Sequence, residues 1–117
     1  MAITPKRLAG PMYVPDSAGV IYANPAGFTS TIANLIIHNT NVTTETILIY
    51  VVPDNAGALG TPGVTNIMYS QDIEADATIE IEVAGIGIVL EDENDSIQMD
   101  TNTASKVNVI LNGFQST

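Results

Sequence analysis

The sequence predicts an all-β fold, an antiparallel β-sandwich that is jelly-roll-like and has about eight strands. Fifteen Ile, ten Val and thirteen Thr make up about a third of the 117 residues, and β-branched side chains suit a pleated sheet better than a helix. Clusters of Gly, Pro, Asn and Asp recur about every eight to twelve residues, as in small sandwiches. A chain of this length fills one domain.

Eight segments have strand patterns. The clearest is TIEIEVA (78–84), in which Ile79 and Ile81 point to one face and Glu80 and Glu82 are expected in solvent on the other. The other segments are residues 20–23, 31–39, 46–52, 64–73, 85–90, 95–100 and 106–112. In the last of these, alternation points Val107, Val109 and Leu111 inward.

Two of these segments predict which side chains are buried. TILIYVV (46–52) is apolar on both faces, which predicts a central strand that is covered on each side. Strict alternation over residues 31–39 places Leu35 and Ile37 on one face and Ile32 on the other. The Gly-rich residues 54–63 are predicted to form a surface loop available for contacts.

Residues 1–16 are predicted to form an extended N-terminal arm, and residues 17–117 the sandwich domain. Proline at positions 5, 11 and 15 is incompatible with a helix or a central strand. We expect the arm to bind a partner through Lys6, Arg7, Leu8, Met12 and Tyr13. A terminus that is simply disordered is the alternative.

The charge and composition exclude several classes of protein. Thirteen acidic residues against three basic ones give a net charge of −10, which disfavours nucleic-acid binding. Positions 8–105 have no Lys or Arg, so the pattern is that of a basic arm on an acidic body. The chain has no cysteine, no signal-like apolar segment and no stretch long enough to span a membrane. We expect a soluble protein made in the cytosol, with no membrane partner.

The acidic stretch LEDENDSIQM (90–99) suggests either a metal site or a turn. It fails the EF-hand spacing, because with Asp92 as position one the sixth position is Ile97 and not Gly, and the twelfth is Thr103 and not Glu. A different calcium site that uses Asp92, Asn94 and Asp95 stays open. The preferred interpretation is a solvated turn between two strands, with Leu90 and Ile97 pointing into the core, and no metal.

No motif for catalysis is present. His38 is the one histidine, and the sequence has neither a G-x-S-x-G nor an H-E-x-x-H motif. A surface or interface role is therefore expected for His38. Glu80 and Glu82 are not set in a sugar-binding cleft, and the chain has no Trp. The glycines at 85 and 87 predict a bulge or a sheet corner and not a phosphate loop. We therefore expect a protein that is not an enzyme, with no catalytic residues and no cofactor.

Four separated stretches resemble the small β-sandwich virion proteins of tailed bacteriophages, in particular head decoration (cement) proteins. They are NPAGFTSTIANLIIHNTNVTTETILIYVVP (24–53), IEADATIEIE (73–82), GIVLEDENDSIQM (87–99) and KVNVILNGF (106–114). The resemblance spans about residues 20–114. One departure is Asn94, where the pattern usually has Gly.

The resemblance implies a structural virion protein, commonly a homotrimer, that binds the major capsid protein on the capsid exterior and bridges capsid subunits. Such a protein is made in the host cytoplasm and then joins the virion. The alternative is a tail- or fibre-associated module that binds a receptor or carbohydrate through loops 54–66 and 91–95. A small hydrolase or calcium-dependent module is a third hypothesis.

Overall fold

The computed structural model describes residues 3–83 and 85–117, and it confirms the all-β sandwich. Within these residues there are nine strands and one short 3-10 helix, Val64–Asn66. None of the helical structure in this part of the chain is long and apolar enough to cross a membrane. The strands are β1 (Ile3–Tyr13), β2 (Gly19–Ala23), β3 (Thr29–Asn39), β4 (Glu45–Val52), β5 (Ile67–Ile73), β6 (Thr78–Glu82), β7 (Ile88–Leu90), β8 (Ser96–Asp100) and β9 (Val107–Ser116).

The strands form two antiparallel sheets with jelly-roll connectivity. Sheet A has the order β1–β9–β3–β6, with β7 also beside β3, and sheet B has the order β2–β8–β4–β5. β6 and β7 pair with successive parts of β3, so they are two halves of one broken edge strand. The break contains Gly85 and Gly87, both with positive φ, as the predicted bulge or corner requires. With β6 and β7 counted together, the described part has eight strands.

The segment predicted as an arm is extended, and residues 3–13 of it form a strand of sheet A. β1 pairs with β9 along its whole length, with two register shifts. It lies at the edge of the sheet, the position in which strand residues such as Pro5 and Pro11 are tolerated. The structure thus places β1 within the sandwich formed by residues 17–117. Residues 1 and 2 of the predicted arm lie outside the described residues.

The core lies between the two sheets and is almost entirely aliphatic. Leu90 and Ile97, which were predicted to point inward on either side of the acidic loop, are 1% and 0% exposed. The predicted inward residues of β9 are also buried. The largest buried apolar side chains are Ile32, Leu35, Ile37, Ile47, Ile49, Ile73, Leu90, Ile97, Met99 and Leu111.

The face assigned to Ile32 from simple alternation is wrong. Ile32 is buried together with Leu35 and Ile37, although the predicted pattern places it on the opposite face. The pairing of β3 with β9 shifts register between Ile32 and Asn34, which leaves Ala33 as an extra residue. A bulge of this kind reverses the alternation of side chains for the rest of the strand.

β4 is covered on one face by sheet A and on the C-terminal half of the other face by the loop of residues 53–63, so the predicted burial on both faces holds for that half. Thr46 and Leu48, on the outer face of the N-terminal half, are only partly buried. Tyr50 and Val52 on the outer face of sheet B are 8% and 2% exposed. Gln98 donates a hydrogen bond from Nε2 to the Gly60 carbonyl oxygen at 3.1 Å, and a Cβ at Gly60 would collide with the backbone. One side of the loop of residues 53–63 therefore packs on the outer face of sheet B.

Candidate functional site

The five predicted partner-binding residues lie on β1, where the structure divides them into two groups. Leu8 and Met12 are half-buried and pack against the core of the same chain. Lys6, Arg7 and Tyr13 have exposed side chains. β1 is therefore held to its own sandwich by the apolar pair, and the two cations and the tyrosine are accessible to another molecule.

The two cations of β1 differ in how they are held. Lys6 donates a hydrogen bond from Nζ to Oε1 of Gln115 at 3.0 Å. Gln115 in turn donates from Nε2 to the Tyr22 hydroxyl oxygen at 2.7 Å, so that Lys6 ends a chain of polar groups that extends into the sandwich. Arg7 lies opposite Asn112 of β9 and has no such anchor in the described structure. Arg7 is thus the freer of the two charges.

The opposite edge of sheet A is acidic. Glu80 and Glu82 of β6 are exposed, which confirms the prediction that they are in solvent. Glu80 accepts a hydrogen bond on Oε2 from the Asn34 side chain at 3.0 Å. Sheet A therefore has a basic strand at one edge and an acidic strand at the other.

The acidic loop is a turn held together by one of its own carboxylates. Asp95 accepts hydrogen bonds from the backbone N–H groups of Asp54, Asp92 and Glu91 at 2.9, 3.0 and 3.1 Å. Asn94 has a left-handed φ of 67°, as the turn interpretation requires. The expectation that all four acids stay in water is wrong for Asp95, which is buried, because its carboxylate satisfies the turn's N–H groups.

Burial raises the pKa of the Asp95 carboxyl, but the hydrogen bonds from Asp54, Asp92 and Glu91 lower it by more, so that the pKa lies below its usual value. The group is a carboxylate at neutral pH. The Asp95 carboxylate oxygens accept from backbone N–H groups of the loop that begins at Pro53 and of the acidic loop. The charge of Asp95 therefore stabilises the junction between these two loops.

Carboxylate oxygens of Asp54, Asp92 and Asp95 lie within 4.8 Å of one another. The sequence suggested Asp92, Asn94 and Asp95, but in the structure Asp54 takes the place of Asn94. The Asn94 side-chain amide instead donates to the Gly57 carbonyl oxygen at 2.8 Å. Asp54 also accepts from the Gly57 N–H at 2.7 Å. The polar groups of the cluster thus serve as caps for two adjoining loops. Asp54 is 41 positions from Asp95 in the chain, so spacing in the sequence could not have identified it.

His38 lies on the outer face of sheet A between a hydroxyl and a carboxylate. Its Nδ1 is 2.7 Å from Oγ1 of Thr78, and its Nε2 is 3.3 Å from Oδ1 of Asp76. The Asp76 side chain is 90% exposed. A solvent-exposed contact of this kind contributes little energy and does little to orient the ring. The arrangement therefore resembles a surface cluster more than a catalytic one.

No protein-family model and no curated protein matches this chain. Among solved structures, the chain is similar to one described as "Bacillus endospore appendages form a novel family of disulfide-linked pili", with 14% identity and a TM-score of 0.50. That match covers 98% of this chain and 88% of the other. A weaker match, with 8% identity and a TM-score of 0.38, is to "Structure of infectious bursal disease virus Gt strain", of which this chain covers 30%. At 14% identity, the likeness to the first structure is one of fold alone.

Sequence reasoning missed one buried carboxylate, Glu45, at the start of β4. It accepts four hydrogen bonds of 2.9 to 3.0 Å, from the side chains of Asn41, Thr101 and Thr103 and from the Thr103 N–H. Burial raises its pKa, but these donors lower it by more, and the net pKa lies below the usual value. The donors come from two loops that are far apart in the chain, so only the fold reveals this network.

Proposed function

We propose that this protein is a structural subunit of a virion, a decoration or cement protein that binds the outside of a phage head. The proposal rests on the resemblance over residues 20–114 and on a compact sandwich suited to a structural role. The protein of similar fold is also part of an assembly, since its description names endospore appendages that form pili. This chain has no cysteine, so these 117 residues cannot form disulfide links of the kind named in that description.

The observation that supports binding to a neighbour is the segregation of charge on sheet A. Lys6 and Arg7 are exposed on an edge strand, and residues 8–105 include no Lys or Arg. A localised positive site on a negative body orients the protein as it approaches an acidic patch on another subunit. The rest of the surface stays acidic, as suits the solvent side of a capsid.

The charges on β1 are best tested by substitution, because deleting the strand would uncover the core. Leu8 and Met12 pack on that core, and β9 would lose its neighbour. We expect the combined substitution Lys6→Glu and Arg7→Glu to weaken binding to undecorated capsids at least tenfold, which corresponds to about 1.4 kcal/mol. Quantitative sedimentation of protein with particles measures this.

The matched control is Lys106→Glu, which reverses the third cation at an exposed site outside β1. It is expected to bind capsids like the original protein. If the β1 variant also binds unchanged, the proposed role of β1 is refuted. If the unaltered protein does not bind capsids at all, the decoration role itself fails.

A second candidate is a receptor- or carbohydrate-binding module on a tail or fibre. The observation in its favour is that loops 54–66 and 91–95 meet, and a cleft of about 260 Å³ lies between them. Asp54 and Asp92 line this cleft and could accept hydrogen bonds from sugar hydroxyls. Saturable binding in a glycan array, lost in Asp92→Asn, would support this function over decoration.

A further inference from the structure

The sandwich has two long seams where the edges of its sheets meet. At one seam β1 of sheet A lies beside β2 of sheet B, so the two sheets close on each other. At the other seam β5 is the edge of sheet B, and β6 and β7 form the edge of sheet A. We call these the β1 seam and the β5–β7 seam.

The β5–β7 seam contains an apolar groove. Its volume is about 310 Å³, and its lining is formed by Val51, Met68, Tyr69 and Ile88. Met68 is 59% exposed and Ile86, in the connection from β6 to β7, is 84% exposed. Large apolar side chains gathered at an unpaired sheet edge are typical of a contact surface.

Within the described residues, the backbone of β6 at this seam is also unpaired on one side. The Ala77 carbonyl oxygen accepts from Asn39 at 2.9 Å, and the Val83 N–H donates to Ala33 at 2.9 Å, so these odd-numbered residues turn their polar groups toward β3. Successive residues of a strand alternate in direction. The backbone groups of Glu80 and Glu82 therefore point away from β3, along the free edge.

The charges of the two seams are complementary. The β5–β7 seam has exposed acids on both of its sheets, Asp72 on β5 and Glu80 and Glu82 on β6. The β1 seam has Lys6 and Arg7. Because the two basic residues and these acids lie on opposite sides of the same molecule, they cannot pair within one chain. They can pair between copies.

We propose that the β1 seam of one copy packs against the β5–β7 seam of a second copy. In this contact Arg7 of one chain approaches Glu82 of the next, and the strand covers the apolar groove around Met68. The two surfaces are different, so the contact is heterologous, and it either closes into a ring or continues as a filament.

This inference builds on the proposed function and deepens it, because a ring presents several capsid-binding surfaces at once. Multivalent attachment raises the overall affinity by a factor of about 10² to 10⁴ without any new contact. Reversing the charges of β1 would then weaken capsid binding through loss of the ring.

Charge reversal and its compensation test the contact. The mass of the isolated full chain is measured by light scattering and sedimentation over a range of concentrations. We expect a species of three or more copies, at least tenfold weaker association for Arg7→Glu and for Glu82→Arg, and recovery when both substitutions are combined. Glu93→Arg, an exposed acid of the acidic loop, is the matched control and is expected to associate normally.

A second variant tests the groove and guards against misfolding. Met68→Lys is expected to abolish association while its circular dichroism and melting temperature stay unchanged, since Met68 is largely exposed. A monomer at all concentrations, a discrete dimer, or no recovery in the combined variant would overturn the proposal. A monomer that still binds capsids would leave the decoration role intact, whereas an oligomer that ignores capsids would refute that role alone.

Discussion

Replacing the buried carboxylate of Glu45 with an amide is expected to destabilise the protein by about 2–4 kcal/mol. Glu45 is 2% exposed and accepts four hydrogen bonds, two on each oxygen. In Glu45→Gln, one oxygen becomes an NH₂ group that faces two donors. The hydroxyl of Thr101 or Thr103 can rotate, but the Thr103 N–H cannot become an acceptor, and turning the Asn41 amide to present its oxygen would break the bond that this oxygen accepts from the Val42 N–H. At least one buried donor is then unsatisfied, at about 1–3 kcal/mol, and a charge-assisted bond is lost as well.

Urea denaturation followed by circular dichroism measures this loss, and a thermal melt provides a second readout. For a chain of this length, 1 kcal/mol corresponds to about 4 °C, so the melting temperature should fall by about 8–16 °C. The control is Glu93→Gln, an exposed carboxylate that is expected to change stability by less than about 0.5 kcal/mol. A loss below about 1 kcal/mol for Glu45→Gln would refute the view that this network holds the loops together.

Three further predictions concern pH, the acidic loop and a close strand contact. The pKa values of Glu45 and Asp95 are lowered and that of Tyr50 is raised. Stability should therefore be flat between about pH 5 and 10, and should fall below that range as Glu45 and Asp95 are protonated and above it as Tyr50 ionises; urea midpoints across pH measure this. Asp95→Asn should lower the free energy of unfolding by about 1–3 kcal/mol. Neither calcium nor chelator should shift the melting temperature of the unaltered protein, because backbone N–H donors occupy the Asp95 carboxylate. Gly113→Ala should prevent folding or strongly lower the melting temperature, since its Cβ would collide with the Thr31 carbonyl oxygen of β3. Gly63→Ala should change stability little, because its Cβ would make only an ordinary contact with Oδ1 of Asn66 at 3.8 Å.

The outcomes that contradict these predictions are distinct. A stability profile that is equally steep in Glu45→Gln and in the original protein below pH 5 would show that another group dominates acid unfolding. A melting temperature that rises with calcium would show that the carboxylate cluster binds a cation tightly in the folded state. Equal stability of the two glycine variants would mean that β3 and β9 can separate at little cost.

Several elements were predictable because they depend on local patterns. The alternation in residues 78–82 and 107–111 specified which side chains enter the core, and the left-handed turn at Asn94 followed from the residue types around it. Ile32 was assigned to the wrong face because a bulge at Ala33 is a property of two paired strands, and one strand's sequence does not show it.

The candidate site was only partly predictable for a similar reason. The sequence indicated that Lys6 and Arg7 form an isolated basic pair, but not that they lie on an edge strand of the sandwich. It also identified Asp92 and Asp95 without revealing Asp54 as their neighbour. Each of these facts depends on which strands become neighbours, and jelly-roll connections join segments that are far apart in the chain.

The amino-acid sequence by itself determined that this protein is an all-β domain with an acidic surface and one basic segment, because β-branched content, alternation and charge are properties of neighbouring residues. The tertiary structure decided that the basic segment is β1, that the acidic edge lies at the other side of the same sheet, and that an apolar groove opens beside that edge. Those relations arise from long-range strand pairing, in which burial of the whole core selects the partners of each strand.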